Sequence, residues 1–144
     1  MDLKYLPYIK SPKDLKNYSK KELEAISSEL REYVISTVSE IGGHLASTLG
    51  VVELTTALHY IYNAPDDKIV WDTGHQAYAH KVLTGRFESL NTIRKYKGLN
   101  PFLKQSESKY DVFGAGHAST SISAALGIAS ARDLNNQNFK VISV

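Results

Sequence analysis

The chain has 144 residues, of which 42% are hydrophobic and 22% charged, no cysteine, and a formal net charge of +2. This length and composition are typical of one globular domain with a sizeable core, which excludes the disordered and fibrous classes. The missing cysteine excludes disulfides, thiolate nucleophiles and cysteine-bound metals, and the mixing of basic with acidic residues argues against a nucleic-acid surface.

Residues 1–18 are predicted to form an extended N-terminal lead-in, because they hold Pro7 and Pro12 and show no clean period. Neither a signal peptide nor a run long enough to cross a bilayer is visible. The expected location is therefore the bacterial cytoplasm, with no membrane partner and no nucleic-acid partner.

A long amphipathic helix is predicted next. Ser19 and Glu22 have the spacing of a capping box at its start, and Gly42-Gly43 end it. Between them, apolar residues recur at steps of three and four, which indicates one buried face. They are Leu23, Ile26, Leu30, Val34, Val38 and Ile41.

Residues 43–50 are predicted to be a short loop, and a second, mostly buried helix follows from Val51 to about Asn63. His59 lies inside this helix and is interpreted as a core or surface histidine.

Lys68–Asp72 reads as a short apolar strand, and the next residues, 73–76, lie at its carboxyl end. Ligands of open α/β sheets bind at the carboxyl ends of strands, which makes His75 a functional candidate. His80 falls in the helix predicted over 76–83 and is expected to be solvated.

The remaining elements are a short helix over 87–96, a polar mobile connection over 102–109, an Ala/Ser/Gly-rich helix over 119–134 and a second strand over 139–144. A strand, helices and a further strand predict an α/β fold with a parallel sheet and a right-handed crossover. Since only two strands are present, the domain is expected to be truncated.

The helix over 119–134 is preceded by Gly114, Gly116 and His117. Glycines allow close backbone approach, and a helix N-terminus offers N–H groups to an anion. An anion site and an ordinary loop-to-helix turn are both compatible with this pattern.

Three histidines follow a glycine in predicted loops: His44, His75 and His117. A zinc site is one reading, but the spacing of ligands expected for zinc is missing. A Ser-His-Asp hydrolase is disfavoured because no Gly-x-Ser-x-Gly elbow occurs. The third reading is a set of donors and proton-transfer groups around an anionic cofactor.

Several blocks in fixed order identify a family. The sequence resembles 1-deoxy-D-xylulose-5-phosphate synthases from about Ser19 onward, in Gly43-His-Leu-Ala-Ser47, Leu49-Gly-Val-Val-Glu-Leu-Thr55, Ala57-Leu-His-Tyr60, Trp71-Asp-Thr-Gly-His-Gln-Ala-Tyr78, His80-Lys81, Leu83-Thr-Gly-Arg86, Ser106-Glu-Ser108, Tyr110-Asp111 and Gly116-His-Ala-Ser-Thr-Ser-Ile-Ser-Ala-Ala-Leu-Gly127.

The resemblance implies a transketolase-like homodimeric transferase that uses thiamine diphosphate and Mg²⁺. Such an enzyme joins pyruvate to D-glyceraldehyde 3-phosphate with loss of carbon dioxide, and its product feeds isoprenoid, thiamine and pyridoxal synthesis. Residues 19–144 would be the N-terminal part of the thiamine diphosphate-binding domain, ending before the Gly-Asp-Gly motif and the later Asn that bind magnesium.

The resemblance also implies roles for single residues. His75, Gly116, His117 and Ala118 would contact thiamine diphosphate, and His44 would lie near the reacting carbon as a catalytic group. Ser47 would line the substrate pocket, and Asp72 would shape the strand end rather than react. No metal ligand is expected in this chain.

Three positions depart from the family pattern. Ala118 stands where serine is common, Ala79 where proline is usual, and Thr73 where valine is common. A backbone contact at Ala118 would survive the change, whereas a hydroxyl contact would not.

The missing motifs lead us to expect that this chain alone neither holds the cofactor well nor turns over. Two alternatives remain open: one subunit of a split transketolase-like enzyme, and a non-catalytic remnant that binds a partner through its sheet edge and Ala/Ser-rich helix.

Overall fold

The computed structural model of the protein describes residues 3–114 and 116–144. Met1 and Asp2 of the predicted lead-in and Ala115 of the glycine-rich segment lie outside the described residues. The described part forms helices packed beside a small parallel sheet. Its elements are α1 (Lys20–Ile41), α2 (Ala46–Leu49), α3 (Val52–Ile61), β1 (Lys68–Val70), α4 (Tyr78–Lys81), α5 (Ser121–Leu134) and β2 (Val141–Ser143).

The start and end of α1 follow from its sequence, as predicted. The Ser19 hydroxyl accepts a hydrogen bond from the Glu22 N–H, and the Glu22 carboxylate accepts from the Ser19 N–H at 2.8 Å, which completes the capping box. Gly42, with a φ of 77°, ends the helix. The side chains of Ile26, Leu30 and Val34 are fully buried.

The lead-in is not extended where the structure describes it. Short 3-10 helices form at Leu6–Tyr8 and Pro12–Asn17, and the Glu29 carboxylate of α1 accepts hydrogen bonds from the backbone N–H groups of residues 4–6. Leu6 and Leu15 are fully buried. The lead-in thus belongs to the main core, although its boundary at residue 18 stays a prediction.

The main core lies where α1 packs against α3, α4 and the lead-in. A buried hydrogen bond of 3.0 Å from the Ser27 hydroxyl to the Thr56 hydroxyl joins α1 to α3. The apolar members of this core are Leu6, Ile9, Leu15, Ile26, Leu30, Val34, Val38, Val52, Tyr78, Ala79, Val82, Leu83, Leu90 and Ile93.

Three segments of the structure differ from their predictions. Residues 43–50 hold the short helix α2. The helix predicted over 76–83 is divided into a 3-10 turn at Gly74–Gln76 and α4, which continues into an irregular π-type turn at Val82–Arg86. The helix predicted over 87–96 is reduced to a 3-10 turn at Leu90–Thr92.

The two strands pair in parallel, as predicted, with Lys68 opposite Val141 and Val70 opposite Ser143. A second apolar cluster surrounds the end of β1. It contains Leu58, Ala64, Ile69, Trp71, Ala77, Leu103 and Tyr110.

Helix α5 packs against both strands but leaves much of its surface exposed. Ile122, Leu126 and Leu134 are 74%, 67% and 85% exposed, and Ser121 is its one buried residue. None of the helices in the described ranges combines the length and apolarity that crossing a lipid bilayer requires.

Candidate functional site

Two of the predicted site residues meet. His44 lies in the loop after α1, and His75 lies in the 3-10 turn after β1. Their rings are 4.8 Å apart between centroids, with an interplanar angle of 57°. The structure therefore brings together two Gly-His loops that are distant in sequence.

The backbone holds these two loops in place. The Thr48 hydroxyl of α2 donates a hydrogen bond of 2.9 Å to the carbonyl of His75. Gly42 and Gly43, just before His44, have φ values of 77° and 151°, which favour glycine. The short α2 helix thus ties the His44 loop to the turn that carries His75.

The electrostatics of the pair favour a neutral imidazole at His75. Burial lowers the pKa of His75, and the neighbouring His44 ring lowers that pKa further. A neutral imidazole has one N–H donor and one acceptor nitrogen. His44 is exposed, so the pair can present a donor or an acceptor to a ligand and can carry a proton.

Ser47 lies on α2 beside this pair in sequence. Its hydroxyl oxygen is buried and has no hydrogen-bond partner among the described residues. Buried polar atoms are rarely left unpaired, which marks this hydroxyl as a candidate contact for a bound molecule.

Gly116, His117 and Ala118 form an exposed segment. A Cβ atom added to Gly116 would meet nothing within 4 Å, so packing does not require glycine there. The backbone of this segment is open to a ligand.

Asp72 bears on the two readings of the segment that precedes α5. Its carboxylate accepts hydrogen bonds of 2.9 Å and 3.1 Å from the N–H groups of Ser119 and Thr120. These bonds lower the pKa of Asp72. A carboxylate of the chain thus occupies these two N–H groups, which favours the ordinary loop-to-helix turn at this helix start. The cofactor contacts expected of Gly116, His117 and Ala118 stay a prediction. Asp72 does shape the end of its strand, as expected.

The prediction that His80 is solvated was wrong, because its side chain is fully buried. Its Nε2 lies 3.2 Å from the Asp111 carboxylate, and its Nδ1 lies 2.9 Å from Nε2 of His59. Arg86 donates two hydrogen bonds of 2.8 Å to the same carboxylate. We call His59, His80, Arg86 and Asp111 the buried network.

The charges fix the hydrogen-bond directions in the buried network. Burial alone would raise the pKa of Asp111, but hydrogen bonds from His80 and Arg86 outweigh it and hold that pKa well below its usual range. The ionised carboxylate can only accept, so Nε2 of His80 carries a proton. Burial lowers the pKa of His80 and His59, so Nδ1 of a neutral His80 accepts from Nε2–H of His59.

The segment over 102–109 is anchored, which corrects the prediction of a mobile connection. Glu107 accepts hydrogen bonds from Lys81 and Arg86 and from the backbone N–H of Asn100. A Cβ atom on Gly74 would lie 2.5 Å from the backbone nitrogen of Leu103. The segment therefore lies directly against the turn that carries His75.

The buried network and the contribution of Thr48 were not predicted from the sequence. One signal was available, because His80 and Lys81 directly precede the apolar Val82 and Leu83 in a predicted helix. Charged and titratable groups in such a position are either solvated or paired inside, and the pairing partners are distant in sequence.

The comparisons with known proteins agree with the sequence resemblance. Residues 6–144 match the sequence model of the family described as 1-deoxy-D-xylulose-5-phosphate synthase. The chain is similar to curated proteins of that name from Alkaliphilus oremlandii (56% identity over 141 residues, 98% of this chain and 23% of the relative) and Chlorobaculum tepidum (58% over 139 residues, 96% and 22%). It thus spans about a fifth of the length of the curated relatives that it matches.

Proposed function

Because this chain belongs to the 1-deoxy-D-xylulose-5-phosphate synthase family, we propose that it supplies one part of such an enzyme's active site. The reaction is the thiamine diphosphate-dependent condensation of pyruvate with D-glyceraldehyde 3-phosphate, with loss of carbon dioxide. Its product, 1-deoxy-D-xylulose 5-phosphate, is a precursor of isoprenoids, thiamine and pyridoxal. The protein is a transferase with a transketolase-like α/β domain.

The observation that carries the proposal is the pairing of His44 with His75. The unpaired hydroxyl of Ser47, three residues after His44, adds to it. These groups fit a cofactor with polar and anionic parts, since each can offer a hydrogen bond that nothing described in the chain already takes. His75 and the open backbone of 116–118 would hold thiamine diphosphate. When bound, that cofactor supplies an electron sink for the carbanion left by decarboxylation.

The chain's own contribution is to position groups and to move protons. His44 is exposed and lies against a neutral His75, so it can give a proton to an oxygen of the substrate or take one from it. His75 supports the His44 ring, and Ser47 would hold a substrate oxygen.

The magnesium site is proposed to lie outside this chain. Within residues 3–114 and 116–144, no three His, Asp or Glu side chains are grouped to hold a metal ion. We expect the 144-residue chain alone to bind the cofactor weakly and to be inactive, and the complete protein to be a homodimer in the bacterial cytoplasm.

A chimera tests this function. The 144 residues replace the matching segment of the Alkaliphilus oremlandii relative, and carbon dioxide release from pyruvate is measured with D-glyceraldehyde 3-phosphate present. The chimera should be active, and His44→Gln should lower kcat by about 100-fold or more, as loss of a general acid–base group does. Lys21→Gln, on the exposed side of α1, is the control. A chimera that folds with the parent's thermal midpoint and yet is inactive would overturn the proposal.

The isolated chain gives a second test. Thiamine diphosphate with Mg²⁺ should leave its thermal unfolding midpoint unchanged, because most of the cofactor's ligands are expected elsewhere. A clear upward shift with this chain alone would contradict that part of the proposal.

A partner-binding role is the second candidate, and the exposed apolar residues Ile122, Leu126 and Leu134 of α5 favour it. Large exposed apolar patches mark interaction surfaces. Concentration-dependent association of the chain, together with an inactive chimera, would support this role, whether as a subunit of a split enzyme or as a non-catalytic remnant.

A further inference from the structure

Tyr78 carries a hydroxyl group that the folded chain does not use. The residue is fully buried at the start of α4, just after the turn with His75. Its oxygen has no hydrogen-bond partner among the described residues. A buried polar atom without a partner destabilises the folded state, so the structure offers no stability reason for tyrosine over phenylalanine at this position.

The unused hydroxyl lies under the loop that carries His44. A Cβ atom added to Gly43 would be 3.2 Å from the Tyr78 oxygen and 3.5 Å from a carbon of its ring. Gly43 and Gly42 both have positive φ values, at 151° and 77°. Two glycines in succession let the backbone adjust, so a small movement of this loop can bring a backbone polar group to the hydroxyl.

We propose that Tyr78 is a positioning residue for His44, and that its hydroxyl hydrogen-bonds the Gly43–His44 backbone when a ligand lies between His44 and His75. The hydroxyl makes this hydrogen bond only in the bound state, where the bond fixes the position of His44, the histidine that acts on the substrate. The inference rests on the proposed function for the ligand, which would be a 2-oxo acid together with its thiamine diphosphate cofactor.

The first test is stability without ligand. Tyr78→Phe in the 144-residue chain should leave the thermal midpoint unchanged or raise it, because the ring stays and only an unpaired hydroxyl is lost. Tyr96→Phe, at a tyrosine that is 91% exposed, is the matched control. A midpoint that falls with Tyr78→Phe alone overturns the proposal, since the hydroxyl would then have a structural partner.

The second test is kinetic and uses the chimera. Tyr78→Phe should lower kcat by about two- to tenfold, the equivalent of one neutral hydrogen bond, with little change in KM for pyruvate. Because Tyr78 acts through His44, the same substitution should cost nothing further in a His44→Gln background.

The outcomes separate the two proposals. An active chimera whose kcat is unchanged by Tyr78→Phe, or whose loss is the same in both backgrounds, overturns the role of Tyr78 and leaves the proposed function standing. A folded but inactive wild-type chimera overturns both, because the ligand named here would be wrong.

Discussion

At the scale of single residues, Asp111 accepts hydrogen bonds from three separate segments of the chain. Its side chain is fully buried, and its carboxylate accepts hydrogen bonds from His80, from Arg86 and from the backbone N–H of Lys104. One carboxylate thus joins α4, the turn after it and the segment over 102–109. A buried charge that loses its partner is far more costly than an exposed one.

The substitution Asp111→Asn tests this arrangement. It removes the negative charge and leaves the Arg86 guanidinium without its main partner, so the free energy of unfolding should fall by about 3–5 kcal/mol. Urea unfolding measures the change. Glu88→Gln, in an exposed ion pair with Lys10 at 3.0 Å, is the control and should cost less than about 1 kcal/mol. Equal effects of the two substitutions would show that Asp111 is not part of a buried network.

At the scale of elements, the lead-in differs most from its prediction, because it was expected to be extended and instead packs into the core. It forms two short helices, and its fully buried Leu15 packs into the same core as Ile26 and Leu30 of α1. A segment that fills the core should be as sensitive to truncation of its side chains as the long helix.

Leu15→Ala tests that statement. The substitution should lower the free energy of unfolding by about 2–5 kcal/mol, through lost burial and a cavity in the core. Tyr8→Ala, at a residue of the same segment that is 72% exposed, should change it by less than about 1 kcal/mol. Chemical denaturation of both variants gives the comparison. A loss below 1 kcal/mol for Leu15→Ala would mean that the lead-in only covers the surface.

The elements that could be predicted from sequence are those with strong local signals. The capping box of Ser19 and the regular apolar spacing of α1 are local, and so are the apolar strands. The helix predicted over 87–96 was wrong. The chain leaves the helical conformation at Ile93, with a ψ of 136°, and Arg94 follows with a φ of 66°, a left-handed conformation that a helix does not continue through. The local sequence does not predict either conformation.

The candidate site was predictable in part for the same reason. His44 and His75 each follow a glycine in a loop, so both could be singled out, but their contact depends on the long-range bond from Thr48 to the His75 carbonyl. The burial of His80 depends on His59 and Asp111, which reach it from other elements. Periodicity carries no information on such pairings.

At the scale of the whole molecule, the buried network makes stability depend on pH. The pKa of His59 and of His80 lies below the ordinary 6.5, because burial disfavours the charged imidazole beside Arg86. Below about pH 6.5, the unfolded chain therefore binds protons that the folded chain does not, and the free energy of unfolding falls. Asp111 lowers the free energy of unfolding further at still lower pH, since its pKa in the folded state is below the ordinary 3.8.

Denaturation between pH 8 and pH 4.5 tests this dependence. The free energy of unfolding should be steady above about pH 7 and should fall below pH 6.5 by up to about 1.4 kcal/mol per pH unit for each buried histidine. His59→Gln removes one of these groups and should reduce the slope, whereas His117→Gln, at an exposed position, should keep it. The same slope in all three proteins would contradict the assignment.

Asp72 holds both β2 and α5 to the rest of the structure, which has a consequence for local unfolding. Its backbone N–H donates to the carbonyl of Val144 at 2.8 Å, and its carboxylate holds the first turn of α5. Because α5 buries so little, the α5–β2 unit should open locally, without global unfolding, as a separate cooperative unit in native-state hydrogen exchange. His44 and His75 lie outside the α5–β2 unit, whereas His117 lies four residues before α5. A ligand that contacts His117 together with His44 or His75 would stabilise the closed state by RT ln(1 + [L]/Kd). Slower exchange of the α5 amides would therefore report occupancy of the site.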